Sequence, residues 1–318
     1  HDEVADAAPG TPPAPTDGAL DEGRDAGSGF VLGHSSSSGI SAGRYYVVLD
    51  NNFANERRVN VMASIKQSAA PAPVHYGLWS DHGRGINQGF DWGVGQAGSQ
   101  PIASLVWYTY DEDGLPVFYT ANAPIDPDSA TWSSELLRVT SNNERDHLST
   151  VGRVSVTELA ADDMIIAWRL NGRHGSSRVR PDHSQACAVV DGESRSYSGH
   201  WYASGLAQGG TTMIVTDAVQ TQVRYYFDAL GVGRWVITDD QAGDGPLAEQ
   251  LAVVEFHGYC DGCEAREISS ETVGSYARLF HDEYHATEIV EFVSRPPLGH
   301  DYSAEVEIER LTTRLECP

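Results

Sequence analysis

The chain has little positive charge. Its 318 residues hold 21 Lys and Arg against 45 Asp and Glu, a formal net charge of −24, and Lys66 is the single lysine. That balance disfavours a nucleic-acid partner, whose phosphates need cations along a groove, and none is expected. No apolar run approaches the roughly 18 residues of a membrane-spanning helix, so no membrane span is expected. Long stretches with a 3.6-residue apolar period are missing too, which points away from helical folds. There is no Gly-x-Ser-x-Gly elbow, phosphate loop or dinucleotide fingerprint. No catalytic residue is therefore assigned, and the primary reading is non-catalytic. The chain opens at His1 without an initiator Met, as a processed or partial sequence does.

What is present is a repeat. Gly77-Leu78-Trp79 recurs as Gly199-His200-Trp201, and Val151-Gly152 recurs as Val273-Gly274, both at an offset of 122 residues. Tyr225-Tyr226-Phe227-Asp228 with Gly231 answers Tyr108-Thr109-Tyr110-Asp111 with Gly114, and Trp235 answers Phe118, now at an offset of 117. The chain reads as a tandem duplication whose loops changed length between these points. Copy one offers eight short strands near 76–80, 86–94, 102–110, 115–122, 132–140, 151–159, 163–170 and 175–180. They are separated by turns such as Asp111-Glu112-Asp113-Gly114 and Asn171-Gly172. The expected fold is all-β: two tandem antiparallel up-and-down barrels or sandwiches. The expected segments are an acidic Pro/Ala/Gly-rich arm over 1–29, a β-hairpin and linker over 30–73 with its strands at 44–50 and 57–66, repeat one over 74–186 and repeat two over 187–318. The arm is too polar and Pro-rich to bury a core and reads as flexible.

The pattern Gly77-x-Trp79, Trp107-Tyr108-x-Tyr110-Asp111-x-x-Gly114-x-Pro116, Phe118-Tyr119 resembles a repeat of exported proteobacterial proteins with Gly-x-Trp-Tyr, Trp-Tyr-x-Tyr-Asp and Gly-x-Pro-x-Trp-Tyr segments. That resemblance implies export, to the medium or the bacterial cell surface, and brings no activity with it. Strand count and Gly-x-Trp also resemble calycin-type barrels such as lipocalins and avidins. Their Trp plugs one barrel end under a basic residue of the last strand. The resemblance offers Arg178 or Arg180 in copy one and Arg310 or Arg314 in copy two for that place.

Several side chains are candidate sites. Trp79, Trp107, Tyr108, Tyr110, Trp201, Tyr225 and Trp235 line one cavity per copy for a small ligand or glycan on one reading, and fill the core on the other. His281 and His285 have a metal-pair spacing, but the repeat places them where copy one has a hairpin turn. His257, Cys260 and Cys263 have zinc-ligand spacing, against which stands a disulfide within the loop. The even cysteine count suits two bridges, Cys260–Cys263 and Cys187–Cys317, the latter bracketing copy two. Acidic loops at Asp111-Glu112-Asp113, Asp126-Pro127-Asp128, Asp162-Asp163 and Asp239-Asp240 match no calcium-loop pattern. No cofactor is assigned, with calcium or zinc the metals these spacings could serve.

Three functions follow. The first is an exported structural or binding protein that self-associates through arm and hairpin, as the subunit of an extracellular or surface assembly or filament. The second is a small-ligand or glycan-binding barrel. The third is a metal-binding protein or enzyme.

Overall fold

We describe the protein from a computed structural model. It describes residues 77–317, apart from 82–87, 127–130, 143–145, 161, 183–186, 204–208, 218, 239–249, 261–262, 264–265 and 315–316. The arm and the 44–66 hairpin lie outside the described residues.

The fold is all-β. The first barrel is built from β1 (Gly77–Ser80), β2 (Gly89–Ala97), β3 (Gln100–Tyr110), β4 (Pro116–Pro124), β5 (Thr131–Ser141), β6 (Asp146–Ala160), β7 (Asp163–Leu170) and β8 (Arg173–Pro181). A small hairpin follows, β9 (Ala188–Val190) and β10 (Glu193–Arg195). The second barrel is β11 (Gly199–Ala203), β12 (Gly210–Val215), β13 (Gln220–Phe227), β14 (Gly233–Thr238), β15 (Leu251–His257), β16 (Ser269–Phe280), β17 (His285–Val293) and β18 (Asp301–Arg310). Each set of eight closes into an antiparallel barrel in sequence order, so every strand pairs with its chain neighbours and the last with the first. Eight strands leave an interior just wide enough for side chains to fill.

The duplicated residues have duplicated jobs. Gly77 and Gly199 open their barrels at φ of 112° and 150°, conformations that side chains avoid. They let Trp79 and Trp201 turn inward, where both are buried. Val151 and Val273 are the extra residues of a matching β-bulge. In copy one Leu136 faces Gly152 and Leu137 faces Thr150; in copy two Val253 faces Gly274 and Val254 faces Thr272. The glycine beside each bulge admits the next strand. A Cβ there would stand 1.8 Å from the Arg169 carbonyl oxygen in copy one and 2.0 Å from that of Glu291 in copy two.

The barrels pack side by side. Outward residues of β1, β3, β4 and β5 (Leu78, Tyr108, Tyr110, Phe118, Val139) form one cluster with outward residues of β12, β13 and β14 (Ile214, Val223, Tyr225, Trp235). The contacts are reciprocal. Tyr108 packs on Trp235 at 5.3 Å, and Phe118, the counterpart of Trp235, packs on Tyr225 at 5.1 Å, the counterpart of Tyr108. Gly258 N donates to Gly114 O at 3.0 Å, and Ser141 N donates to Gly231 O at 2.9 Å. Both glycines end an Asp-x-x-Gly turn. Asp111 Oδ1 accepts from the Asp113 and Leu115 amides, and Asp228 Oδ1 from those of Leu230 and Val232.

Cys187 and Cys317 are bonded across a separation of 130 residues, and Cys260 and Cys263 across 3. By loop-closure entropy the first contributes about 5 kcal/mol and the second about 2 kcal/mol.

Candidate functional site

Period-two alternation sends neighbours in β3 to opposite faces. Trp107 points into the first barrel. Tyr108 and Tyr110 point out, into the contact with the second. The candidate aromatics of each copy therefore do not line one cavity within their own barrel. Trp79 and Trp107 belong to the first barrel's core, Trp201 to the second's, and Tyr108, Tyr110, Tyr225 and Trp235 to the seam. The first interior is packed ring on ring: Trp107 lies 4.7 Å from Trp168, and Trp92 lies 5.0 Å from Trp132. In the second, the Arg310 guanidinium sits 5.2 Å over the Trp201 ring. Burial pulls the Arg310 pKa down to about 10, so it stays cationic at neutral pH. The other basic candidates have other work. Arg314 bonds Glu283 at 2.8 Å, Arg178 pairs with Asp163, and Arg180 stands opposite Ser80 in the β1–β8 ladder.

The two interiors differ in chemistry at equivalent positions. In the first barrel Phe90 stands opposite Trp107. In the second the same places hold Thr211 opposite Arg224, and Glu288 stands at the place of Ile166. Arg224 Nη1 lies 2.8 Å from Glu288 Oε1, and Arg224 Nη2 donates to the Tyr302 hydroxyl at 2.8 Å. Glu288 Oε2 accepts from Thr211 at 2.6 Å and from Tyr276 at 3.0 Å. Arg224 is 2% exposed and Glu288 0% exposed, so this is an ion pair in a dry core. Burial raises the Tyr276 pKa well above its ordinary value, with the Glu288 charge adding to it, so the hydroxyl remains a donor.

A second buried charge lies in the seam. Asp91, on β2, meets His200 Nε2 at 2.7 Å, accepts from Thr212 Oγ1, and lies 3.5 Å from the Tyr225 hydroxyl. All three partners come from the second barrel. Burial raises the Asp91 pKa, and His200 and Tyr225 counteract it. Arg234 ties the two Asp-x-x-Gly turns together, bonding Asp228 Oδ2 and Asp111 Oδ2 at 2.9 Å each.

The histidine candidates are engaged elsewhere. His257 Nε2 lies 2.7 Å from the buried Glu255, while Cys260 and Cys263 are bonded to each other. His281 sits on the turn between β16 and β17 and His285 opens β17, at the hairpin the repeat offset predicts. His281 Nε2 meets Thr287 Oγ1 at 2.8 Å, and His285 Nδ1 meets the Asp282 carboxylate at 2.9 Å. Among the described residues no group of three His, Cys, Asp or Glu is arranged to hold a metal ion. Of the acidic loops, Asp111 and Asp163 are taken up by Arg234 and Arg178, and Asp239-Asp240 lies outside the described residues.

The turn pair does titrate. The hydrogen bond to Asp282 raises the His285 pKa above 6.5, and the same bond lowers the Asp282 pKa below 3.8. Its contribution is complete between those two ordinary values. It is lost as pH rises through the folded His285 value, and again as pH falls through the folded Asp282 value. In an NMR titration His285 is expected to release its proton above 6.5, and Asp282→Asn to bring that value down toward 6.5.

Sequence reasoning did not single out Asp91, His200, Arg224, Arg234 or Glu288. Unpaired charges within strand-like stretches were the available signal, since a charged residue between apolar ones in a strand needs a partner. No family model matches the chain, and no curated protein or solved structure matches it.

Proposed function

We propose that this chain is an exported, non-catalytic structural or binding protein, a rigid double-barrel scaffold that serves as subunit of an extracellular or cell-surface assembly. The observation that carries this reading is that the aromatics are consumed by packing. Trp79, Trp107 and Trp201 fill barrel cores, and Tyr108, Tyr110, Tyr225 and Trp235 hold the barrels together. Two cysteine pairs at disulfide distance suit an oxidising compartment. The net charge of −24 suits a soluble exported protein. On this reading residues 1–73 supply self-association, by adding a strand to a neighbouring copy's sheet. Head-to-tail contacts of that kind grow into filaments when they do not close.

Light scattering over a concentration series tests it, on the full chain and on a chain lacking 1–73. The full chain should gain mass with concentration and the shortened one should not. A full chain that stays monomeric throughout ends the assembly reading.

A shallow cleft favours a second reading, a small polar ligand or glycan. It is open to solvent, has a volume of about 470 Å³ on β16–β18 and is lined by Ser275, Glu291, Val293, Asp301, Tyr302 and Ser303. Calorimetry against a glycan panel separates the two readings, because only ligand uptake at the cleft responds to Glu291→Ala.

A further inference from the structure

The two disulfides are built for different purposes. Cys187–Cys317 closes a span of 130 residues around the second barrel, as a staple does. Cys260–Cys263 closes a span of 3, which restrains the unfolded chain less than half as much. The second pair has a charged partner. Arg173, at the start of β8 in the first barrel, points Nη1 at both sulfurs, 3.1 Å from Cys260 Sγ and 2.8 Å from Cys263 Sγ. Among the described residues its ion pair is with Glu112, 3.6 Å away and 81% exposed, a solvent-screened contact. The segment is anchored beside the sulfurs by the bond from Gly258 N to Gly114 O.

A guanidinium gains little from a neutral disulfide and much from a thiolate. A cation beside a cysteine lowers its pKa and favours the reduced form. We infer that Cys260–Cys263 is an exchange-active disulfide that accepts electrons from thiols, with Arg173 as the group that holds the thiolate it releases. Burial sets the polarity. Cys260 is 3% exposed, whereas Cys263 is half-buried, so an incoming thiolate reaches Cys263 Sγ. Its sulfur bonds to Cys263 Sγ, the Cys260–Cys263 bond breaks, and Cys260 leaves as a thiolate against Arg173. A second thiolate of the same donor, from a dithiol or a second small thiol, then attacks the donor sulfur of the mixed disulfide. Cys263 leaves and takes up a proton. The donor pair has lost two electrons and become a disulfide, and Cys260 and Cys263 have become a dithiol. Because Arg173 and the cysteines belong to different barrels, the site exists only in the docked pair.

The test uses the full chain in glutathione buffers of graded ratio, with thiols trapped and assigned by mass spectrometry. Cys260–Cys263 should open at ratios that leave Cys187–Cys317 intact. Arg173→Gln should lower its equilibrium constant for reduction at least tenfold, and Arg173→Lys should keep it within about threefold. Opening of both bridges together, or an unchanged constant in Arg173→Gln, overturns the inference. Should Arg173→Gln fail to fold, the pH dependence of Cys260 and Cys263 alkylation in the reduced wild type decides. A lower thiol pKa than the ordinary 8.5 upholds the role of Arg173, and a value at or above it ends that role.

Discussion

Glu288→Gln should cost the protein about 3–5 kcal/mol in urea unfolding, whereas Arg224→Met with Glu288→Leu should restore most of that loss. The single change keeps the shape of the side chain and removes only its charge. It leaves the Arg224 guanidinium, 2% exposed in the core, without the Glu288 carboxylate that faces it at 2.8 Å. The double change removes both charges and with them the cost of desolvating two ions. The first barrel shows that the site accepts apolar residues, since it carries Trp107 and Ile166 in the same places within a packed core. What the double variant forgoes is the set of hydrogen bonds to Thr211, Tyr276 and Tyr302, each worth about 1 kcal/mol. A double variant as unstable as Glu288→Gln alone would show that those bonds, and not the unpaired charge, dominate.

Asp91→Ala should be of similar size, about 3–5 kcal/mol, and should also change how the protein unfolds. Asp91 is the first barrel's carboxylate in the polar centre with His200 and Thr212, both buried. Without it their polar atoms stay in the seam with no carboxylate to meet. The expected outcome is that one cooperative transition splits into two, one per barrel, in chemical denaturation followed by fluorescence. The pH dependence has a definite sign. The folded pKa of Asp91 lies above 3.8, so the folded protein holds a proton that the unfolded chain has released. As pH rises from 3.8 through the folded value, wild type should therefore lose stability relative to Asp91→Asn, whose side chain stays neutral. A stability difference that is flat over that range would place the folded value at its ordinary position.

The barrels were legible in the sequence because their signals are local. Asp111 and Gly114 specify a turn by hydrogen-bonding chemistry, and Asp228 and Gly231 repeat it. The recurrence of Val-Gly at an offset of 122 marks a bulge and the close approach of a strand. The same offset places His281 and His285 at a hairpin. The β9–β10 hairpin was missed although Asp191-Gly192 announces it, with φ values of 53° and 81°. The seam was harder. The motif sets Trp107, Tyr108 and Tyr110 close together in sequence, but alternation puts Trp107 on the face opposite the other two. What alternation does not say is whether an outward aromatic face meets solvent or another barrel. That depends on contacts between residues more than 100 positions apart, such as Asp91 with His200.

The reciprocity of the seam means that, if each barrel were a separate and identical chain, the same surface would join them as a homodimer. In such a dimer every residue near the axis faces its own twin. Asp91 sits opposite Thr212, which is its counterpart by register, so twin barrels would bury one carboxylate against another, and like charges there repel. Covalent linkage lifts that restriction. One half keeps the carboxylate, the other supplies the hydroxyl and the imidazole, and Arg234 reaches Asp111 from a position where its own counterpart is Val117. The halves have thereby become a lock and its key. Two first barrels would clash at the carboxylate, two second barrels would lack it, and only the unlike pair closes.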